Sequence, residues 1–187
     1  MTAGAATVPF QLASTRRMAR FAGGFYVIAV ATAVFAEFVA PGRMGIAAVI
    51  VPITCYTAVT LLLFVILRPV SQPVALAALI FGLVGLAFEA LRWHPLGANI
   101  GMVSHGVFCL LIGYLLFRST LVPRIVGQFM GGAGMMWLFY LDPPFARSLA
   151  PWNSFFGLLC EAIPMLWLLI AGAGAWRRSN LPVRRRR

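Results

Sequence analysis

Between Arg43 and Arg68 no residue carries a charge. A helix over residues 46–67 is long enough, at about 1.5 Å per residue, to cross the roughly 30 Å hydrocarbon core of a bilayer. Such runs recur at 21–40, 74–92, 98–117, 125–141 and 154–176. Only 10% of the 187 residues are charged and 61% are hydrophobic, so no polar surface suffices to wrap these segments in water. Lipid is then the solvent, and only helices satisfy their own backbone within one segment. The expected fold is all-α: a polytopic membrane helix bundle of about six transmembrane helices, with the N- and C-termini cytoplasmic. A cytoplasmic segment (1–20) precedes one membrane domain (21–176), and a basic cytoplasmic tail (177–187) follows it.

The punctuation supports this division. Pro41-Gly42, Arg68-Pro69 with Pro73, Trp93-His94-Pro95 and Pro123 fall between runs. Proline disfavours helix at its own position and at the residue before it. "DPPFARSLAPW" (142–152) is the longest connection. Orientation follows from the fifteen basic residues, all arginine. With the start inside, twelve of them lie at cytoplasmic ends, leaving Arg43, Arg92 and Arg147 outside, as the positive-inside rule requires. "STRRMARF" (14–21) resembles a twin-arginine signal. The apolar run after it is too long for one, contains Glu37, and precedes five more runs, so it reads as a cytoplasmic anchor.

Several function classes drop out. Without lysine there is no Schiff-base or lysine-nucleophile chemistry. A net charge of +11 would suit nucleic acid, but the arginines sit at span ends, where topology accounts for them. No nucleic-acid partner is expected. Cys55, Cys109 and Cys160 fall in three different runs and read as small packing residues. No metal is expected, because HxxxH and ExxH spacings are missing. His94 is the only histidine besides His105, which makes paired haem ligation a poor fit, and no cofactor is expected. No phosphate-binding glycine loop or nucleophile elbow is present.

Two runs carry small residues at helical spacing: Ala75, Ala78, Gly82 and Gly85, and then Gly127, Gly131 and Gly134. Such stripes let helix backbones approach closely. They fit packing within one bundle or homo-oligomer formation, and the pattern does not choose between them. The first stripe continues to Glu89, which should point into the bundle. Glu37 shares a face with Tyr26 and Gly23, His105 with Gly101 and Cys109, and Glu161 with Met165.

Given the orientation, Glu37, Glu89, His105 and Glu161 all lie about 6–12 Å below the outer boundary. Asp142 is on the same side. An ionisable group inside a span is costly and often marks function. These four are the candidate ligand- or ion-binding residues of an outward-facing acidic pocket. Each also has a plainer role: Glu37 and Glu89 reaching headgroups or pairing with Arg43 or Arg92, His105 bonding to a neighbouring helix, and Glu161 lying in an interfacial turn. Pro164 removes the amide that would bond the Cys160 carbonyl, and so offers that pocket a free acceptor.

"RMARFAGGFYVIAVATAVFAEF", "FCLLIGYLLFRSTLVPRIVG" and "CEAIPMLWLLIAG" give the chain a resemblance, over most of residues 17–175, to the domain-of-unknown-function family numbered 4386, which comprises bacterial multi-pass membrane proteins. The resemblance implies a helical protein of the cell (inner) membrane and no established activity. The connection between the first two runs is shorter here than relatives usually carry. The middle stretch also draws attention to the turn holding Arg118, Ser119, Pro123 and Arg124. Arg118, Arg124, Arg177 and Arg178 are candidate contacts for anionic lipid at the cytoplasmic face, each worth about 1 kcal/mol near the surface.

Three functions fit these residues. One is small-solute or ion- or proton-linked transport, or ligand binding, through the acidic pocket. Another is a membrane-embedded enzyme acting on an apolar substrate, with Glu161 as general acid or base and His105 as its partner. The third is a structural or partner subunit without catalysis.

Overall fold

The apolar runs become helices because nothing inside them competes with helix, and their ends are set by specific residues. The computed structural model describes residues 4–35, 47–91 and 99–172. The helices are α1 (Gly4–Val34), α2 (Ala47–Leu67), α3 (Gln72–Leu91), α4 (Ile100–Arg118), α5 (Arg124–Leu138), α6 (Pro143–Leu149) and α7 (Trp152–Ile170). A single 3-10 turn, Phe139–Leu141, joins α5 to α6. There is no strand among the described residues. The Asn99 side chain caps α4 by accepting from the Met102 amide at 2.9 Å. At the other end of α4 the Ser119 amide donates to Leu115 O and the Ser119 hydroxyl to Leu116 O, which closes the helix before Pro123 starts α5. Asp142 caps α6, whose first residue is Pro143. Gly172, at φ 68°, ends α7 in the left-handed conformation that favours glycine.

Two boundaries differ from the sequence expectation. Helix α1 already runs from Gly4, so Arg16, Arg17 and Arg20 belong to the same helix as the first apolar run. Nothing between Thr15 and Phe21 breaks a helix, and arginine is itself a good helix former. Helix α7 ends at Ile170, where Gly172 turns the chain, and residues 173–176 of the expected run lie outside the described residues. Among the described residues, four helices are long and apolar enough to cross a membrane: Ile50–Leu67, Gln72–Leu91, Ile100–Arg118 and Trp152–Ile170.

The long helices close into a ring in the order α1, α2, α3, α4, α5, α7, with α7 returning to α1. The outward faces carry exposed Phe25, Ile28, Leu61, Ile80, Val84, Phe155 and Leu166. An apolar surface of this extent is a poor match for water and a good one for lipid.

Backbone contact holds the ring. The stripe Ala75, Ala78, Gly82 and Gly85 is the buried face of α3. On α5, a Cβ added at Gly127 would stand 2.5 Å from Phe117 N and 2.7 Å from Gly113 O. Gly134 opposes Gly106 in the same way, so the α5 stripe meets a glycine stripe on α4. The ring closes at Gly23, where a Cβ would lie 2.7 Å from both Leu169 N and Met165 O. Near that seam the Arg20 guanidinium donates to Ile170 O, placing a cation at the C-terminus of α7.

Inside the ring, Leu63, Leu67, Ile112, Leu115, Leu116, Met130, Met165 and Leu168 are all buried. They fill the end of the bundle that carries Arg68, Arg118 and Arg124. The buried polar groups Ser104, Asn153 and Glu161 lie toward the opposite end, with Thr60 among the apolar layer.

Candidate functional site

Glu161 has no solvent exposure. It lies on the inner face of α7 together with Asn153, Gly157, Pro164, Met165 and Leu168. The spacing of Asn153, Gly157, Glu161 and Met165 keeps them on one helix face. Closure of the ring brings three other helices to this carboxylate. The Tyr56 hydroxyl on α2 donates to Glu161 Oε1 at 2.7 Å. His105 Nε2 on α4 lies 3.0 Å from the same oxygen. Cys109 Sγ, one turn further along α4, is 3.5 Å from that ring nitrogen. Tyr26 of α1 presses edge-on against Tyr56, with centroids 5.6 Å apart. Glu161 Oε2 is buried with no hydrogen-bond partner among the described residues.

Aromatic rings fix the histidine. It stacks on Phe108 at 5.6 Å, meets Tyr56 edge-on at 5.3 Å, and meets Trp137 of α5 edge-on at 6.0 Å. Room for Trp137 comes from Gly157, where a Cβ would lie 3.1 Å from the indole. Beyond Trp137 the Tyr140 and Ser154 hydroxyls bond at 2.7 Å. The Trp137 Nε1 and both amide atoms of Asn153 are buried without partners among the described residues. A file of polar groups therefore runs along α7 from Asn153 to Glu161, over about 12 Å. On the other side of Glu161 the interior is apolar.

The four sequence candidates separate here. His105 and Glu161 meet. Glu89 is half-buried one turn of α4 away, packed on Gly101, where a Cβ would stand 2.5 Å from its Oε1. That oxygen has no hydrogen-bond partner among the described residues. Glu37 lies outside the described residues, as do Arg177 and Arg178. Arg118 and Arg124, with Phe117, Ser119, Thr120 and Val122, line a cleft of ≈ 280 Å³ at the α4–α5 turn. There Arg118 packs over the Tyr114 ring and Arg124 over the Phe117 ring.

Tyr56, Cys109 and Trp137 were not among the sequence candidates. Tyr56 carried one signal: a tyrosine in the middle of a run, when membrane tyrosines concentrate at the interfaces. Cys109 carried another, four residues from His105 on one helix face. Helical spacing alone gives no reason to connect either residue with Glu161.

The arrangement holds a carboxylate against two donors and leaves one of its oxygens free. It is not a cysteine–histidine relay. A relay uses opposite ring nitrogens, one toward the nucleophile and one toward the orienting acid. Here the thiol and the carboxylate converge on the same Nε2.

No family model, curated protein or solved structure matches this chain.

Proposed function

We propose that this chain is a six-span protein of the bacterial cell membrane that takes up a proton or small cation from the extracytoplasmic side, at Glu161 and His105, as part of ion-linked transport. Residues 1–20 and 177–187 are cytoplasmic in this reading, and the resemblance to family 4386 fits the same class of protein. The carrying observation is the wholly buried Glu161 carboxylate, with Oε1 held by Tyr56 and His105 and Oε2 unpartnered. A charge so placed faces a site or water rather than lipid. The polar file from Asn153 gives an approach from one end, and the layer of Leu63, Ile112, Met130 and Met165 blocks the other. Arg118 and Arg124 supply an anionic-headgroup contact at the blocked, cytoplasmic end.

In proteoliposomes holding a pH-sensitive dye, an imposed potential is expected to drive a change of luminal pH in the wild type and none in Glu161→Gln. A wild type no faster than empty vesicles would sink the transport reading. A reporter fused at Asp142 should register an extracytoplasmic location, and a cytoplasmic signal would overturn the orientation.

A second reading rests on the hydrogen-bonded string Tyr56–Glu161–His105, in which Glu161 is general acid or base toward an apolar substrate. It predicts turnover in detergent with no gradient present.

A further inference from the structure

We infer that His105, Cys109 and Glu161 form a binding site for a divalent transition-metal ion of the zinc or cobalt type. This rests on the reading of Glu161 as the central site and names the class of cation it takes. The donor atoms are an imidazole nitrogen, a thiol sulfur and a carboxylate oxygen, all within 4.8 Å of one another. Tetrahedral zinc, with bonds of about 2.0–2.3 Å, sets its ligand atoms roughly 3.4–3.6 Å apart. The Nε2–Sγ separation is 3.5 Å and the Nε2–Oε1 separation 3.0 Å. The third pair, Sγ and the carboxylate, lies within 4.8 Å and closes toward that spacing by rotation of the Cys109 and Glu161 side chains as the ion binds.

Three further observations point to a ligand. First, both acids of the set address the same ring nitrogen, the geometry of ligands around one centre rather than of a proton relay. Second, Glu161 Oε2 is fully buried with no partner among the described residues, so it is free to ligate. Third, no arginine pairs with Glu161 among the described residues, and the chain has no lysine. A carboxylate and a thiolate with a neutral imidazole carry two negative charges. A divalent ion makes the complex neutral, which removes most of the cost of a charge in an apolar interior.

The mixed nitrogen, sulfur and oxygen set favours zinc or cobalt over calcium or magnesium, which take oxygen ligands. Binding releases the Cys109 thiol proton, and the neutral His105 ring changes from the Nε2–H tautomer that donates to Glu161 to the Nδ1–H tautomer, which frees the Nε2 lone pair for the ion. If Glu161 enters protonated, its proton leaves as well. Tyr56, already bonded to Oε1, orients the carboxylate. Three protein ligands leave a fourth position open, as in zinc sites that exchange a ligand.

The test is Co²⁺ titration of the chelator-treated, full-length chain in detergent, followed by absorption. The wild type is expected to show a thiolate-to-cobalt charge-transfer band with tetrahedral d–d bands, all displaced by Zn²⁺. Cys109→Ser should lose the charge-transfer band, while Cys55→Ser and Cys160→Ser keep it. Cys109→Asp, which restores a ligand and guards against misfolding, should keep d–d bands without charge transfer. His105→Gln and Glu161→Gln should weaken binding about 100-fold, on the scale of losing a ligand or its support. No charge-transfer band in the wild type, or one that survives Cys109→Ser, overturns the metal site. Proton flux that persists without cobalt binding removes the metal and leaves the transport reading standing. Cobalt binding without any flux does the reverse.

Discussion

Gly127→Val will cost more than about 3 kcal/mol, the upper range for overpacking a well-filled interior, and will leave little folded protein after extraction. Its first side-chain carbon would stand 2.5 Å from Phe117 N and 2.7 Å from Gly113 O. Both neighbours are backbone, so no rotamer change relieves the clash, and α4 must separate from α5. His105 and Cys109 ride on α4 and Trp137 rides on α5, so the site is disturbed too. The control lies in the same stripe. Gly131 has nothing within 4 Å of an added Cβ, so Gly131→Ala should fold as well as the wild type and gain up to about 1 kcal/mol from helix propensity. Size-exclusion profiles and thermal unfolding in detergent compare the two. Equal stability would mean that α4 and α5 do not meet along these glycines.

The second large effect concerns the buried carboxylate. His105→Ala is expected to destabilise the protein by about 3 kcal/mol, because it leaves Glu161 with Tyr56 as its one donor in an apolar interior. Adding Glu161→Gln to that variant should recover part of the loss, since a neutral amide is cheaper to bury than a carboxylate. Tyr56→Phe should show the same dependence on residue 161, because both donors address Oε1. The three changes are therefore strongly non-additive. Thermal unfolding of the singles and doubles at one pH reads the coupling. Simple additivity would mean that Tyr56, His105 and Glu161 do not share an oxygen.

Helix class was legible because it is local. Hydropathy over about 20 residues marks a segment that lipid accepts, and helical periodicity sorts its faces. The stripe Ala75, Ala78, Gly82, Gly85 is the buried face of α3 for that reason. Ionisable residues inside apolar runs, His105 and Glu161 among them, were visible on the same basis. The α4 stripe of Gly106 and Gly113 was less visible. It gains its meaning from the α5 glycines it faces, and the pairing of faces is not written in either segment alone.

The residue order alone dictates an all-helical chain, with apolar runs of membrane-crossing length, small-residue faces, and acids and a histidine embedded in the runs. Which of those groups meet depends on how the helices pack. The helices close in a ring with Gly23 of α1 against Leu169 of α7. That closure brings Tyr56, with Tyr26 against its ring, and His105, with Cys109 against its Nε2, to the same oxygen of Glu161, while Glu89 packs on Gly101, one turn along α4 from His105. The physical reason is register. Hydropathy fixes a helix in the direction along the membrane normal only to within a turn or so. A hydrogen bond needs about 3 Å, and interhelical packing alone supplies that precision.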